Sequence, residues 1–197
     1  KGRIQAFIAT LATMTIFRGV TYVFTNGNPI SVVNDNFLNI GSGDLFGIPL
    51  PIIIIVLVFL LAWYVLTQTR YGRYVYAVGG NEESSRLSGI NTDKIKCLVY
   101  VLSGIAAALA GIIVTSRIGS ASPSAGSGFE LDAIAAVVLG GTSLSGGEGT
   151  IVGTILGALI IGVLSNGLNL MDVSAFYQSI AKGIVILLAV LADRKTA

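Results

Sequence analysis

Four stretches of this chain, at about 5–24, 50–69, 95–117 and 150–170, are apolar over a length that matches or nearly matches the roughly 30 Å hydrocarbon core of a bilayer. A segment of that kind has to satisfy its own backbone, so each is read as an α-helix. The rest of the composition agrees: 53% of the 197 residues are hydrophobic, only 11% are charged, and the mean hydropathy is +0.83. That is too apolar for a soluble domain, and the chain is read as an integral membrane protein. With no His and Cys97 as the single cysteine, an internal disulfide is excluded. A metal site or a His-based catalytic triad lacks its usual residues. The net charge of +2, with basic residues beside the spans, gives no electrostatic footprint for nucleic acid.

A fifth, shorter span is expected at about 175–192. The apolar piece 131–140 covers only about 15 Å as a helix and is closed by Gly140-Gly141, so a half-span or re-entrant helix is expected there. Orientation follows from charge. Between Arg70 and Lys96 lie Arg70, Arg73, Arg86, Lys94 and Lys96, whereas Thr25–Pro49 holds Asp35 and Asp44 and no Lys or Arg. By the positive-inside rule the first segment is expected to be cytoplasmic and the second external. Lys1, Arg3, Arg194, Lys195 and the interfacial pair Trp63 and Tyr64 point the same way and put the C-terminus in the cytoplasm. Traced back from there, Met171–Ser174 is an external turn, Thr142–Gly149 a cytoplasmic loop, and 131–140 descends from outside to inside. The chain opens at Lys1, without an initiating Met, directly before a span. The expectation is a single transmembrane domain, 1–197, forming the C-terminal part of a longer polypeptide.

Set between two of these apolar runs is a polar stub, at 79–91, with its own start and stop signals. Asn81 can cap the first free N–H groups, Glu82 and Glu83 suit the positive end of a helix, and Gly89 sits where a left-handed C-cap forms most easily. Glu82 and Arg86 are spaced to pair along one face. The rod from Glu82 to Ser88 is about 10 Å long, too short to cross, so it is expected to lie on the membrane and face a partner.

The spacing Glu83-Ser84-Ser85-x-x-x-Gly89 resembles the Glu-Ala-Ala-x-x-x-Gly loop of binding-protein-dependent ABC importer permeases. Its surroundings, Gly79-Gly80-Asn81-Glu82-Glu83 and Arg86-Leu87-Ser88-Gly89-Ile90-Asn91, resemble the version in ribose-type sugar permeases. The likeness continues through the run from Phe129-Glu130-Leu131-Asp132 to Gly140-Gly141-Thr142-Ser143-Leu144, then Gly153-Thr154-x-x-Gly157-Ala158-Leu159 and Asn166-Gly167-Leu168-Asn169-Leu170. It covers nearly the whole chain. Ser84 and Ser85 stand where the general pattern has two Ala, a small-for-small change. The resemblance implies an all-α, polytopic helix bundle with a cytoplasmic coupling helix that docks in a groove of a separate ATPase. On that basis Glu82, Glu83, Arg86, Leu87 and Gly89 are the contact candidates: charges at the rim, Leu87 as apolar anchor, Gly89 for the turn.

Leu144-Ser145-Gly146-Gly147-Glu148 resembles the signature peptide of ABC ATPases. No Gly-x-x-x-x-Gly-Lys-Ser/Thr loop accompanies it, so the string is read as a Gly-rich turn, and the ATPase, with its ATP, as another chain. Small residues recur at four-residue spacing in Gly104/Ala108, Ala107/Gly111, Gly153/Gly157 and Ala158/Gly162. Such stripes let helix backbones approach, within the chain or at a seam with a second permease subunit. Polar groups inside spans are costly unless paired or wetted. Asn166 and Asn169 on the fourth span, and Gln178 and Lys182 on the last, are the candidates to line a translocation pathway for an uncharged polyhydroxylated solute. Lys182 is expected to snorkel, to pair with Asp172 or to face a cavity, and Arg18 in the first span is read as structural.

The expectation is therefore the membrane-spanning subunit of an ATP-driven importer in a bacterial inner membrane. The resemblance points to a monosaccharide, with ribose foremost, and implies a homodimeric permease, a cytoplasmic ABC ATPase and a periplasmic or tethered sugar-binding protein. The chain itself is expected to hold no cofactor and to perform no covalent chemistry. Other small neutral solutes fit the same architecture: another pentose, a hexose or a furanosyl signalling molecule. A secondary carrier or channel would call for carboxylates in the middle of a span; Asp132 and Asp172 are near ends. An intramembrane enzyme would need a nucleophile and base, and no such pair is found.

Overall fold

The computed structural model describes residues 5–193, and among them the chain is mostly helical. Lys1, Arg3, Arg194 and Lys195, four of the charges used to orient the chain, lie outside the described residues. Among the described residues four helices are long and apolar enough to cross a membrane, over Ile8–Thr25, Leu50–Gln68, Thr92–Ile118 and Ile151–Leu170. The chain is a multi-pass membrane protein. It divides into two compact units, 1–54 with 106–126, and 55–105 with 127–197.

The first unit contains α1 (Ala6–Thr25), in which threonine hydroxyls are satisfied by the helix's own carbonyls. Thr15, Thr21 and Thr25 each donate to the carbonyl four residues earlier, at 2.9, 2.8 and 2.9 Å. Hydroxyls tied back in this way need no outside partner, which is how threonines live in an apolar span. Asn26 closes the helix in the left-handed region, φ 50°. A short α2 (Asp35–Ser42) follows, with the Asn34 side chain accepting from the Asn36 and Phe37 N–H groups. Two-residue strands β1 (Ile30–Ser31) and β4 (Ser120–Ala121) pair antiparallel, as do β2 (Asp44–Leu45) and β3 (Ile48–Pro49). The buried Ser116 hydroxyl accepts from the Gly41 N–H at 2.7 Å and donates to the Phe37 carbonyl at 2.6 Å. A Cβ at Gly41 would stand 2.5 Å from the Arg117 nitrogen, so only glycine lets α2 seat here.

Two long helices contribute to both units. Helix α3 (Leu50–Gln68) buries none of its residues. An all-round apolar, unburied helix is stable only with lipid or other helices around it. Helix α6 (Thr92–Ile118), at 27 residues, spans about 40 Å, which exceeds the hydrocarbon thickness and calls for tilt or a protruding end. Asp93 in its first turn and Arg117 in its last complement its dipole.

The second unit holds α4 (Arg70–Gly80), α5 (Glu82–Leu87), α7 (Phe129–Leu139), α8 (Ile151–Leu170) and α9 (Ala175–Asp193). Its core is Ala135, Ala136 and Ile161, with Leu139 and Val185 against it. Helix α7 packs on both α8 and α9, and beside the core side chains its contact with α8 includes close backbone approach. A Cβ on Gly157 would strike the Ala136 carbonyl oxygen, and one on Gly140 the Gly153 carbonyl. Of the small-residue stripes, then, Gly153 and Gly157 are used inside the chain, whereas Gly104, Gly111 and Gly162 have open space beside them. Helix α4 lies hidden in the basic segment 70–96 when the sequence is read alone. It forms because Thr69 caps it and because Tyr71, Val75 and Val78 fall on one face, with Val78 buried.

Candidate functional site

Two polar constellations stand out in the second unit. The first is the stub. The Thr69 hydroxyl donates to the Val65 carbonyl at 2.6 Å and accepts from the Gly72 N–H at 3.3 Å, so a single residue ends α3 and begins α4. Asn81 does the same one helix later: its N–H bonds to the Ala77 carbonyl at 3.0 Å while its side-chain oxygen accepts from the Ser84 N–H at 2.9 Å. At the far end Gly89 takes φ 86° with nothing within 4 Å of a Cβ, so backbone conformation and not space selects glycine there. Ser85 is buried and Ser84 exposed.

Of the five contact candidates, Glu82 is occupied inside the protein. Its carboxylate meets the Lys96 ammonium at 2.5 Å, fourteen residues along the chain. Hydrogen bonding from Lys96, with smaller help from the Lys96 charge, from Thr92 and from Arg86, holds the Glu82 carboxyl below the usual glutamate range. The pairing with Arg86 suggested by spacing gives way to Lys96 of α6, which reaches the Glu82 carboxylate. Glu83, Arg86 and Leu87 are exposed, with Leu87 showing 82% of its surface.

Behind the stub the 142–150 loop closes on itself, with Ser143 N–H on the Glu148 carbonyl at 3.1 Å. It is tied to α4 by the Tyr76 hydroxyl, which donates to the Gly149 carbonyl at 2.9 Å. Tyr76, Gly79, Thr142, Ser143, Glu148 and Thr154 are among the residues lining an open cleft of about 320 Å³.

The second constellation joins α7 to α9. Lys182 Nζ lies 2.8 and 2.9 Å from the two Asp132 carboxylate oxygens, and the side chains are 23% and 28% exposed. Of the three alternatives for Lys182, pairing with Asp172 does not form. Asp172 sits in the left-handed turn after α8, φ 54°, and Asp132 is fifty residues from Lys182. Asp132 lies in the first turn of α7 beside Glu130, where the helix dipole favours an anion, and that position is the one sequence clue to it. The pair leaves ammonium protons and carboxylate lone pairs for further bonds. Gln178, one turn before Lys182, spends its amide on the Val173 carbonyl at 2.8 Å. Asn166 and Asn169 lie on α8, and among the described residues no hydrogen bond joins them to Gln178 or Lys182. Arg18 lies on α1, in the other unit.

Residues 1–190 match the family described as the permease component of the branched-chain amino acid transport system. Among curated proteins, the ribose import permease protein RbsC of Haemophilus influenzae is 60% identical over 98% of this chain and 61% of its own length. RbsC of Bacillus subtilis is 58% identical, over 99% and 61%. The D-allose transport system permease protein AlsC of Escherichia coli is 42% identical, over 97% and 59%. The chain spans about three fifths of the length of these relatives. No solved structure matches it.

Proposed function

The chain belongs to the permease-component family of the branched-chain amino acid transport system, and from that premise we propose that it is part of the membrane-spanning subunit of an ATP-driven ABC importer for ribose. The observation that carries the solute is the gradient of identity, 58–60% to permeases named for ribose against 42% to one named for D-allose. The protein is a transport subunit, with ATP bound and hydrolysed by a separate cytoplasmic ATPase. It sits in a bacterial inner membrane with α9 as its fifth span, segment 70–96 and the C-terminus inside, and 25–49 outside. A second permease subunit, a symmetry-related copy of the same chain, completes the pathway, and a sugar-binding protein delivers solute to the outer loops.

In this reading α5 is the coupling helix. Leu87 inserts into an apolar groove of the ATPase, Glu83 and Arg86 bond at its rim, Gly89 fixes the exit of the chain, and Glu82 anchors α5 to α6 through Lys96. The exposure of Leu87 supports this, because a side chain of that kind gains by burial against a partner, about 1.5–3 kcal/mol if complete. Helix α7, 11 residues and about 16 Å long, is the half-span. Since a charged pair facing hydrocarbon is costly, Asp132 and Lys182 face the aqueous pathway, where Gln178, Asn166 and Asn169 add neutral donors and acceptors for sugar hydroxyls.

Uptake of labelled ribose into proteoliposomes holding the full-length permease, its ATPase and its binding protein tests the proposal. Accumulation that requires ATP supports it. ATP hydrolysis without ribose entry keeps the importer and discards the solute, leaving another pentose, a hexose or a furanosyl solute. Accumulation without ATP would favour an ion-coupled carrier, for which the Asp132–Lys182 pair supplies the charges. Glu83→Lys is expected to uncouple hydrolysis from uptake while membrane insertion persists.

A further inference from the structure

The Gly-rich turn at 145–148 takes no part in the function proposed above, yet its backbone is pressed directly against the segment that leads into α5. A Cβ on Gly79 would stand 2.7 Å from the Gly147 nitrogen. One on Gly146 would stand 2.6 Å from the Gly79 carbonyl oxygen, and one on Gly147 2.8 Å from the Gly80 α-carbon. Gly146 and Gly147 also hold φ 90° and 82°, so glycine is required there twice over, by conformation and by space. We infer that the crossing of Gly79-Gly80 by Gly146-Gly147 is the joint through which a displacement of α5 reaches α7 and α8, with Gly79, Gly147 and Tyr76 as positioning residues for transport. The inference rests on the permease reading.

The joint is continuous from end to end. Asn81 is bonded both to the last turn of α4 and to the first turn of α5, so the two helices move together at that residue. The last turn of α4 meets the turn backbone to backbone, with no side chain between to absorb a shift by changing rotamer; a contact of that kind passes displacement on. Tyr76, one turn earlier on α4, ties the same loop at Gly149. The next residue, Thr150, caps α8, its hydroxyl accepting from the Gly153 N–H at 3.0 Å. Gly153 and Gly157 then lie on Gly140 and Ala136 at the end of α7, again by backbone. An input at α5 therefore arrives at the helix that carries Asp132. The likeness of Leu144-Ser145-Gly146-Gly147-Glu148 to a nucleotide-binding signature has a structural explanation: two glycines in left-handed conformation are what this crossing needs.

The test uses the full-length permease with its ATPase and binding protein in proteoliposomes, reading ribose uptake and ATP hydrolysis together. Gly147→Ala is expected to lower the ribose moved per ATP hydrolysed by about tenfold, and Tyr76→Phe by about threefold. Gly141→Ala serves as the control: Gly141 has φ 80° but nothing within 4 Å, so it carries the same backbone strain without the crossing. Its ratio should stay within about twofold of wild type. Equal loss in Gly147→Ala and Gly141→Ala, or no loss in either, overturns the joint. Should Gly147→Ala fail to insert, the milder Tyr76→Phe decides, a fallen ratio supporting the joint and an unchanged one overturning it. If wild type hydrolyses ATP but takes up no ribose, the solute reading fails and the joint is judged by hydrogen exchange. ATPase docking should then alter exchange of the 151–157 amides in wild type and not in Tyr76→Phe, and an equal response in both overturns it.

Discussion

Helices α5 and α7 are both too short to cross a bilayer, and they are held by opposite means. Helix α5 is made by its neighbours in sequence: Asn81 opens it, Gly89 closes it, and the exposed Glu82–Lys96 pair adds a weaker tie from further along the chain. Helix α7 is made by its neighbours in space. Gly128 and Glu130 shape its start, but its position is set by the backbone of α8 at Gly153 and Gly157 and by Lys182 of α9. On the function proposed above, the difference suits two jobs. A segment that must meet a partner is best specified locally, because its outer face has to stay free. A segment that packs one face on other helices is best specified by that packing, because its place depends on theirs.

The largest expected effect comes from breaking α7's side of the comparison. Gly157→Leu drives a side chain into the Ala136 carbonyl and is expected to cost about 3 kcal/mol or prevent assembly. Gly162→Leu, further along α8 with open space beside it, is expected to stay within about 0.5 kcal/mol. Unfolding in detergent, followed for both variants, checks this; equal destabilisation would mean that α7 and α8 do not rely on backbone contact. The next effect is electrostatic. Asp132→Asn strands the half-buried Lys182 and is expected to cost about 2 kcal/mol, less than for a fully buried pair because both side chains keep some exposure. In a double-mutant cycle with Lys182→Met the two losses should fall short of adding, and additivity would show that the pair contributes nothing.

What was legible in the sequence follows the same division. The membrane-length helices announce themselves because hydropathy is a local sum, and Asn81 and Gly89 do so because caps act within a turn. Partners did not. Spacing offered Arg86 to Glu82 and Asp172 to Lys182, both close in sequence, whereas the structure supplies Lys96 and Asp132 from fourteen and fifty residues away. Helix α4 was hidden for a related reason: its basic residues define orientation, and the short apolar face of Tyr71, Val75 and Val78 acquires meaning only when something packs on it. Glycine stripes gave the right residue type without the place, since Gly157 is in contact and Gly162 is not.

Removing the cap sharpens the comparison from α5's side. Asn81→Ala deletes the acceptor for the Ser84 N–H and is expected to cost about 1 kcal/mol, confined to the stub. Hydrogen exchange should quicken at Ser84 and Ser85 and stay unchanged across 133–139. Faster exchange in α7 as well would mean that the two helices share one cooperative unit.

The smallest effect is set by pH. The Glu82 carboxyl is held below its ordinary range chiefly by the Lys96 hydrogen bond, so the folded state binds this proton less readily than the unfolded chain does. The tie between α5 and α6 is therefore fully present above the ordinary glutamate range and is lost as the pH falls through the depressed folded value. Because the pair is exposed, salt should weaken it as well. Exchange at the α5 amides, followed as the pH is lowered and corrected for its intrinsic rate, is expected to rise in wild type over that acid range. Glu82→Gln should show the raised rate already at neutral pH and a flat corrected profile below it. A wild-type profile as flat as that of Glu82→Gln would mean that the Lys96 bond does not steady α5, leaving the stub to its two caps alone.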